Sequence, residues 1–285
     1  MKFLLLPSTV SIAGKPIYEA FKKSLINNNH FILETNDVEY HDNVDAVVIW
    51  SVLMTNIIRK KAWELYYNKK PIIVLEVGSL LRNKSWKISI NGINRNAIWP
   101  KVELDTNRKN KFNIKLKPYH SGNYILFALQ NPYSNEFKLN LTDYITNTIL
   151  EIRQYTNKPI IIREHPRFSN IKINLDKKYN YIINKPKFIG NYDEFDLPLL
   201  LNSCHATVNF NSNPAIESII NGVPIFTDIS SMAWDISNQN LSTINSPILH
   251  NRDRWFENLL HTEWFVEEIE QGIPLKGLLE RLNGN

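Results

Sequence analysis

A single cysteine, Cys204, in 285 residues leaves this chain no internal disulfide framework and points to a reducing cytoplasm. Long apolar runs are missing too. The opening MKFLLLPSTV breaks at Pro7, too short for a secretory signal, and nothing approaches the roughly 18 consecutive apolar residues of a membrane span. Glycine is scarce, with nine in all, and no Gly-x-Gly-x-x-Gly follows the first expected strand, so dinucleotide binding is not indicated. No Cys-x-x-Cys or His-x-x-x-His pair occurs, which argues against a structural metal.

What is present is the composition of a folded protein, 43% hydrophobic and 21% charged. A formal charge of +5 and a pI near 9.0 suit an acidic partner. The lysine and asparagine excess, as in NRKNKFNIKLK, also has a purely compositional explanation in an AT-rich genome.

The chain is organised around ATVNFNSNPAIESIINGVPIFTD, residues 206–228. It reads as a buried strand, a polar loop at Asn211 and Ser212, a helix opened by Asn213 and Pro214, and a further strand at 224–227. A helix start at the carboxyl end of a parallel strand suits a phosphate, with Ser212 and Asn213 adding donors. Glu217, one turn in, is placed to accept from the vicinal hydroxyls of a ribose, or simply to complement the helix dipole.

Taken in order, strands are expected at 2–6, 30–34, 45–50 and 71–77, with helices at 16–26 and 56–67. The segment WKISING alternates like one more strand. A charged stretch, 105–117, separates this from a second series with strands at 124–129, 159–163, 181–184, 206–210 and 224–227. Helices fall at 141–155 and 196–202, and a helical region at 254–283 closes the chain. The alternation predicts α/β architecture: two Rossmann-like, doubly wound domains of residues 1–117 and 118–285, with the closing helix in the second.

IIIREHPR places Arg163, His165 and Arg167 at the carboxyl end of a strand, where they are expected to leave the sheet edge together toward a diphosphate. Gln130 and Asn131 in FALQNP end the preceding strand and face the same crevice. Glu76 in VLEVGSLLR is a candidate general base, with Gly78 permitting close approach of another segment; a carboxylate bound to Arg82 or backbone is the structural alternative. Lys84, Lys87, Lys101, Lys109, Lys111, Lys115 and Lys117 offer a phosphate-tracking surface, or ordinary solvated charge.

HPR, NSNPAIESIINGVPIF and LEVGSLLR resemble the capsule-polysaccharide and Kdo-transferase-like glycosyltransferases. That resemblance implies a GT-B fold and a nucleotide-sugar donor, a UDP-sugar first and a CMP-sugar second, with no metal required. It matches His165 and Pro166 to the family's HP motif, Ser212 to its loop serine, Glu217 and Gly222 to its helix, and Glu76, Gly78 and Arg82 to Glu-Asp-Gly-x-x-x-Arg. Val77 stands where that family has aspartate. The catalytic pair expected is Glu76 and His165. The donor set expected is Gln130, Asn131, Arg163, His165, Arg167, Ser212, Asn213 and Glu217.

The sequence is also similar to short phage-encoded glycosyltransferase-like proteins, closing pattern RDRWFENLLHTEWFVEEIEQG included. This implies a 5-hydroxymethylated pyrimidine in phage DNA as acceptor and the host cytoplasm as location. A surface or capsule glycan is the alternative acceptor. A non-catalytic nucleotide- or glycan-binding protein and a nucleotide-sugar epimerase are the other functional readings.

Overall fold

A computed structural model describes residues 1–173, 175–190 and 194–283. The chain divides into two compact units, Met1–Asn113 together with Phe256–Asn285, and Ile114–Trp255. In the first unit lie β1 (Lys2–Leu5), α1 (Lys15–Asn27), β2 (Phe31–Glu34), β3 (Ala46–Trp50), α2 (Ile57–Tyr66), β4 (Ile72–Val77), β5 (Trp86–Ile90) and α3 (Arg108–Phe112). The second holds β6 (Tyr124–Ala128), α4 (Leu141–Tyr155), β7 (Ile160–Arg163), β8 (Tyr181–Asn184), α5 (Leu197–Leu201), β9 (Cys204–Asn209), α6 (Pro214–Ile220) and β10 (Ile225–Phe226). The chain returns through α7 (Asp253–Leu260) to β11 (Glu263–Trp264), α8 (Val266–Glu270) and α9 (Ile273–Asn283).

Strand alternation explains why each sheet is covered twice. In the first unit Phe3, Leu5, Val48, Trp50 and Leu75 face α1, α8 and α9, while Leu4, Val47, Ile49 and Val74 face Ala62, Trp63 and Tyr66 of α2. In the second, Ile125, Phe127, Ile160 and Ile162 meet Ile145, Ile149 and Ile152 of α4, and Leu126 meets Leu197 and Leu201 on the other side. Both units are Rossmann-like and doubly wound. α4 starts as its sequence dictates: the Asn140 side chain accepts from the amides of Thr142 and Asp143.

The first sheet runs β11-β5-β4-β3-β1-β2, parallel except for β5, which runs antiparallel to both of its neighbours, β4 and β11. The second runs β10-β9-β6-β7-β8 and is parallel throughout. The closing helices therefore pack with the first unit, not with the second as the sequence led us to expect. Trp264, Ile269, Leu275 and Leu278 are buried there among Phe3, Ile17 and Phe21. Each such side chain contributes about 1.5–3 kcal/mol, and no periodicity in the sequence says which core receives them.

From β6 the chain moves by α4 to β7 and then β8 on one side, and crosses back to β9 on the other. The strand order thus reverses between β6 and β9, the place where open α/β sheets bind ligands. Beyond α6, Gly222 (φ 82°) turns the chain toward β10 so close to Pro118 that a β-carbon would collide with its carbonyl.

Candidate functional site

Four strand ends of the second sheet deliver the polar groups. Gln130 and Asn131 follow β6, Glu164 and His165 follow β7, Asn209 to Ser212 end β9, and Thr227 and Asp228 follow β10. Among them, Gln130 Oε1, Asn209 Oδ1, Asn211 Oδ1, Thr227 Oγ1 and Glu164 Oε2 are buried and have no hydrogen-bond partner among the described residues. Buried polar atoms are ordinarily paired, and leaving one unmade costs about 1–3 kcal/mol. Five at one sheet edge mark a site whose partners come from outside the fold.

The polarity of two of these atoms is fixed by their neighbours. Asn209 Nδ2 donates to the Ala128 carbonyl (2.9 Å) and to Ser212 Oγ (2.8 Å), so its other atom must be the oxygen. Asp228 Oδ1 accepts the Ser230 hydroxyl (2.6 Å), so Ser230 Oγ can only accept from Asn211 Nδ2 (3.0 Å), and Asn211 Oδ1 is left over. The crevice between β6 and β9 therefore presents acceptors and calls for a ligand rich in O–H or N–H groups.

The expected residues fall into two groups. His165 is half-buried, and its Nδ1 accepts the Arg167 amide (3.1 Å), so the neutral ring carries its proton on Nε2 and acts as a donor. Ser212 Oγ accepts from Asn209, which leaves its hydroxyl proton to donate. Glu217 is half-buried on α6, and Gln130 is 6% exposed beside β9. These residues agree with a ligand at the crevice.

Arg163 does not. It is 4% exposed, its Nη2 donates to Asp196 Oδ1 (2.7 Å) and its Nη1 to Asn184 Oδ1 (2.8 Å), because alternation along β7 turns it toward α5. Burial alone would raise the Asp196 carboxyl, but the Lys187 amide and the Arg163 guanidinium outweigh it and hold it below its ordinary value. Arg167 is exposed, and Asn131 spends its side-chain oxygen on the Tyr133 amide (2.9 Å) in its own turn. The Asn213 side chain does not cap α6. That helix also offers fewer amides than expected, since Pro214 has none and Ala215 N donates to Ser212 O (3.1 Å).

In the first unit, Glu76, next to last in β4, is half-buried, with Oε1 accepting the Val77 amide (2.9 Å). The loop beyond it is moulded around a residue that sequence reasoning missed. Glu263 is fully buried and accepts from Ser79 N (2.6 Å), Leu80 N (3.1 Å) and Ser85 Oγ (2.7 Å), so close to Gly78 that any β-carbon there would strike it. Lys87, 1% exposed, stands opposite Glu76 on one side and Glu263 on the other, a charged row across β4, β5 and β11. Arg59, also buried, ties the loops after β1 and β3 together through Thr9 O (2.7 Å) and Leu53 O; burial depresses it to about 10, with Glu76 acting in the opposite direction.

Four of the seven lysines of the expected track are buried or paired. Lys87 is inside, and Lys101, Lys109 and Lys111 pair with Glu280 (3.4 Å), Glu257 (2.7 Å) and Glu268 (2.7 Å). Burial pushes the Cys204 thiol up to about 11, which keeps it protonated and unreactive. Among the described residues no group of three or more His, Cys, Asp or Glu could hold a metal ion, and no helix is long and apolar enough to cross a membrane.

No protein-family model matches the chain, and no curated protein sequence matches it. Among solved structures it is similar to the Thermosulfurimonas dismutans KpsC beta Kdo 2,7 transferase, at 12% identity, a TM-score of 0.49 and coverage of 98% of this chain and 100% of that one. The beta Kdo 2,4 transferase of the same KpsC aligns at 11% identity and a TM-score of 0.48, over 92% and 90% of the two chains. Methanocaldococcus jannaschii UDP-GlcNAc 2-epimerase, in complex with UDP-GlcNAc and UDP, aligns at 14% identity and a TM-score of 0.33 over the whole of both.

Proposed function

We propose that the second unit binds a nucleotide-sugar donor at the β6/β9 crevice, and that the chain transfers the sugar to an acceptor hydroxyl. The observation that carries this reading is the set of buried, unpartnered oxygens on Gln130, Asn209 and Asn211, two with their polarity fixed by the surrounding bonds. Hydroxyls of a ribose or hexose are the complementary donors. His165 Nε2–H and the Ser212 hydroxyl supply what the phosphates need, and they stabilise the leaving group as charge develops on it. Glu217 is the ribose-hydroxyl acceptor of this reading, and the match of HPR, NSNPAIESIINGVPIF and LEVGSLLR to the glycosyltransferase motifs supports the same assignment.

Glu76 is the general base of the proposal. Its replacement by glutamine is expected to lower turnover at least 100-fold, within the range for removal of a general base, with donor affinity unchanged. The acceptor is assigned to a glycan. Pairing of Lys101, Lys109 and Lys111 with carboxylates offsets part of the positive charge expected to track DNA phosphates.

The test mixes purified protein with UDP-, CMP-, GDP- and ADP-sugars and either oligosaccharides, hydroxymethylcytosine DNA or plain DNA, and reads products by mass spectrometry. A sugar mass added to an oligosaccharide supports the reading and names the donor. Addition to hydroxymethylated DNA alone keeps the transferase and reverses the acceptor. A sugar product formed with no acceptor present assigns an epimerase, and failure of any donor to bind overturns the proposal.

A further inference from the structure

We infer that the second unit carries another ligand site on the same sheet edge: an open groove at the ends of β7 and β8 that takes a hydroxylated anion, either a sugar acid or a sugar phosphate. The groove encloses about 670 Å³, within the range of small-molecule sites, and Glu164, Ile171, Lys172, Ile183, Lys185 and Lys187 line it. It lies on the β7/β8 side of the sheet, whereas the donor crevice opens between β6 and β9.

Two features select the ligand. Glu164 is 2% exposed, and its Oε1 accepts the Ile171 amide (2.9 Å), yet its Oε2 has no partner among the described residues. That oxygen accepts only, so the ligand must bring a hydrogen-bond donor to it. Three lysines line the same groove, Lys185 oriented by its bond to Asn170 Oδ1 (2.7 Å). They attract negative charge, while Glu164 repels it. A neutral sugar satisfies the carboxylate and leaves the lysines unused; a bare anion does the reverse. A molecule with a hydroxyl at one end and a carboxylate or phosphate at the other satisfies both.

Calorimetric titration of the full chain with glucose 6-phosphate, glucuronate, glucose and sulfate tests this. At least one of the two acids is expected to bind tenfold or more tightly than glucose and sulfate, and whichever does so identifies the anionic group. Lys185→Ala and Lys187→Ala are each expected to weaken that acid about tenfold. Glu164→Leu should bring its affinity down to that of sulfate. Should that variant fold poorly, Glu164→Gln keeps the shape and removes the repulsion, so the preference for the acid over sulfate narrows. UDP affinity, a property of the crevice, is expected to be the same in every lysine variant, which keeps this site separate from the donor reading. Acids that bind no better than glucose, or binding that the lysine variants leave unchanged, would overturn the inference.

Discussion

The carboxyl edges of the two sheets are built from the same kind of strand ends and are finished in opposite ways. In the first unit the edge is closed from within: Glu263 takes up the amides of Ser79 and Leu80 and the Ser85 hydroxyl, and Arg59 joins the loops after β1 and β3. At this edge the buried atoms without a partner among the described residues are Ser8 Oγ, Arg59 Nε, Trp86 Nε1 and Trp264 Nε1, of which the guanidinium nitrogen belongs to a group whose other nitrogens are engaged. In the second unit the edge leaves five oxygens without partners among the described residues, three of them beside the reversal of strand order. Among the described residues the first edge leaves three N–H groups and one hydroxyl open, and the second leaves five oxygens. Side-chain oxygens of Gln130, Asn209 and Asn211 gathered at one reversal of strand order distinguish a site prepared for a ligand from a loop cluster that merely holds together.

The strongest way to break the comparison is to open the closed edge. Glu263→Ala strands the amides of Ser79 and Leu80, while the Ser85 hydroxyl keeps the Leu81 carbonyl (3.1 Å), and should lower the stability of the first unit by about 4 kcal/mol. Urea unfolding followed by hydrogen exchange on peptides from each unit would show the second unit unaffected. Next in size, Arg163→Met leaves Asp196 buried and unpaired, at a cost of about 3 kcal/mol confined to the second unit. The pH dependence sharpens this prediction. Because the folded Asp196 lies below its ordinary 3.8, the pair's contribution is complete above that value and is lost as pH falls through the depressed one. The variant should lose that acid-side slope.

A smaller effect with the opposite signature is expected at the open edge. Gln130→Leu removes an oxygen that nothing in the fold satisfies, so stability should hold or rise slightly while donor affinity falls at least tenfold, about 1.4 kcal/mol. Equal losses in both would make Gln130 an ordinary core residue.

The smallest effect touches both units. Burial lowers His205, whose Nε2 donates to Ile244 O (2.8 Å), and it also lowers His261, whose Nε2 accepts the Asp105 amide (2.8 Å). Depressed imidazoles stabilise the fold above the unfolded value of 6.5 and lose that contribution as pH falls through the folded one. Unfolding midpoints at pH 7.5 and 5.5 should fall modestly for both units, and His205→Asn should flatten only the second.

Much of the fold was legible because its signals are local. Alternation and turn residues located β1 to β4 and β6 to β9 to within two residues at each end, and the limits of α4 and β8 agree at both ends. β11 was not legible: two residues carry no period, and their pairing partner lies about 178 positions earlier. The same limit governed the site. His165 and Ser212 follow from motif and strand-end position. The burial of Arg163 depends on Asp196, 33 residues on, and an unpartnered oxygen is a property of a completed network. The density of asparagine in VNFNSN, at the end of an apolar strand, was the available signal for Asn209 and Asn211.

The division of the chain has a consequence for how the molecule is made. The second unit is a continuous segment inserted into the first, whose sheet and helical cover are completed by residues after Phe256. On a ribosome the inserted unit has all its strands before its host does, and the host waits with β5 lacking its β11 neighbour and α1 lacking α8. Premature termination a few dozen residues early would therefore spare the part synthesised second and unravel the part synthesised first.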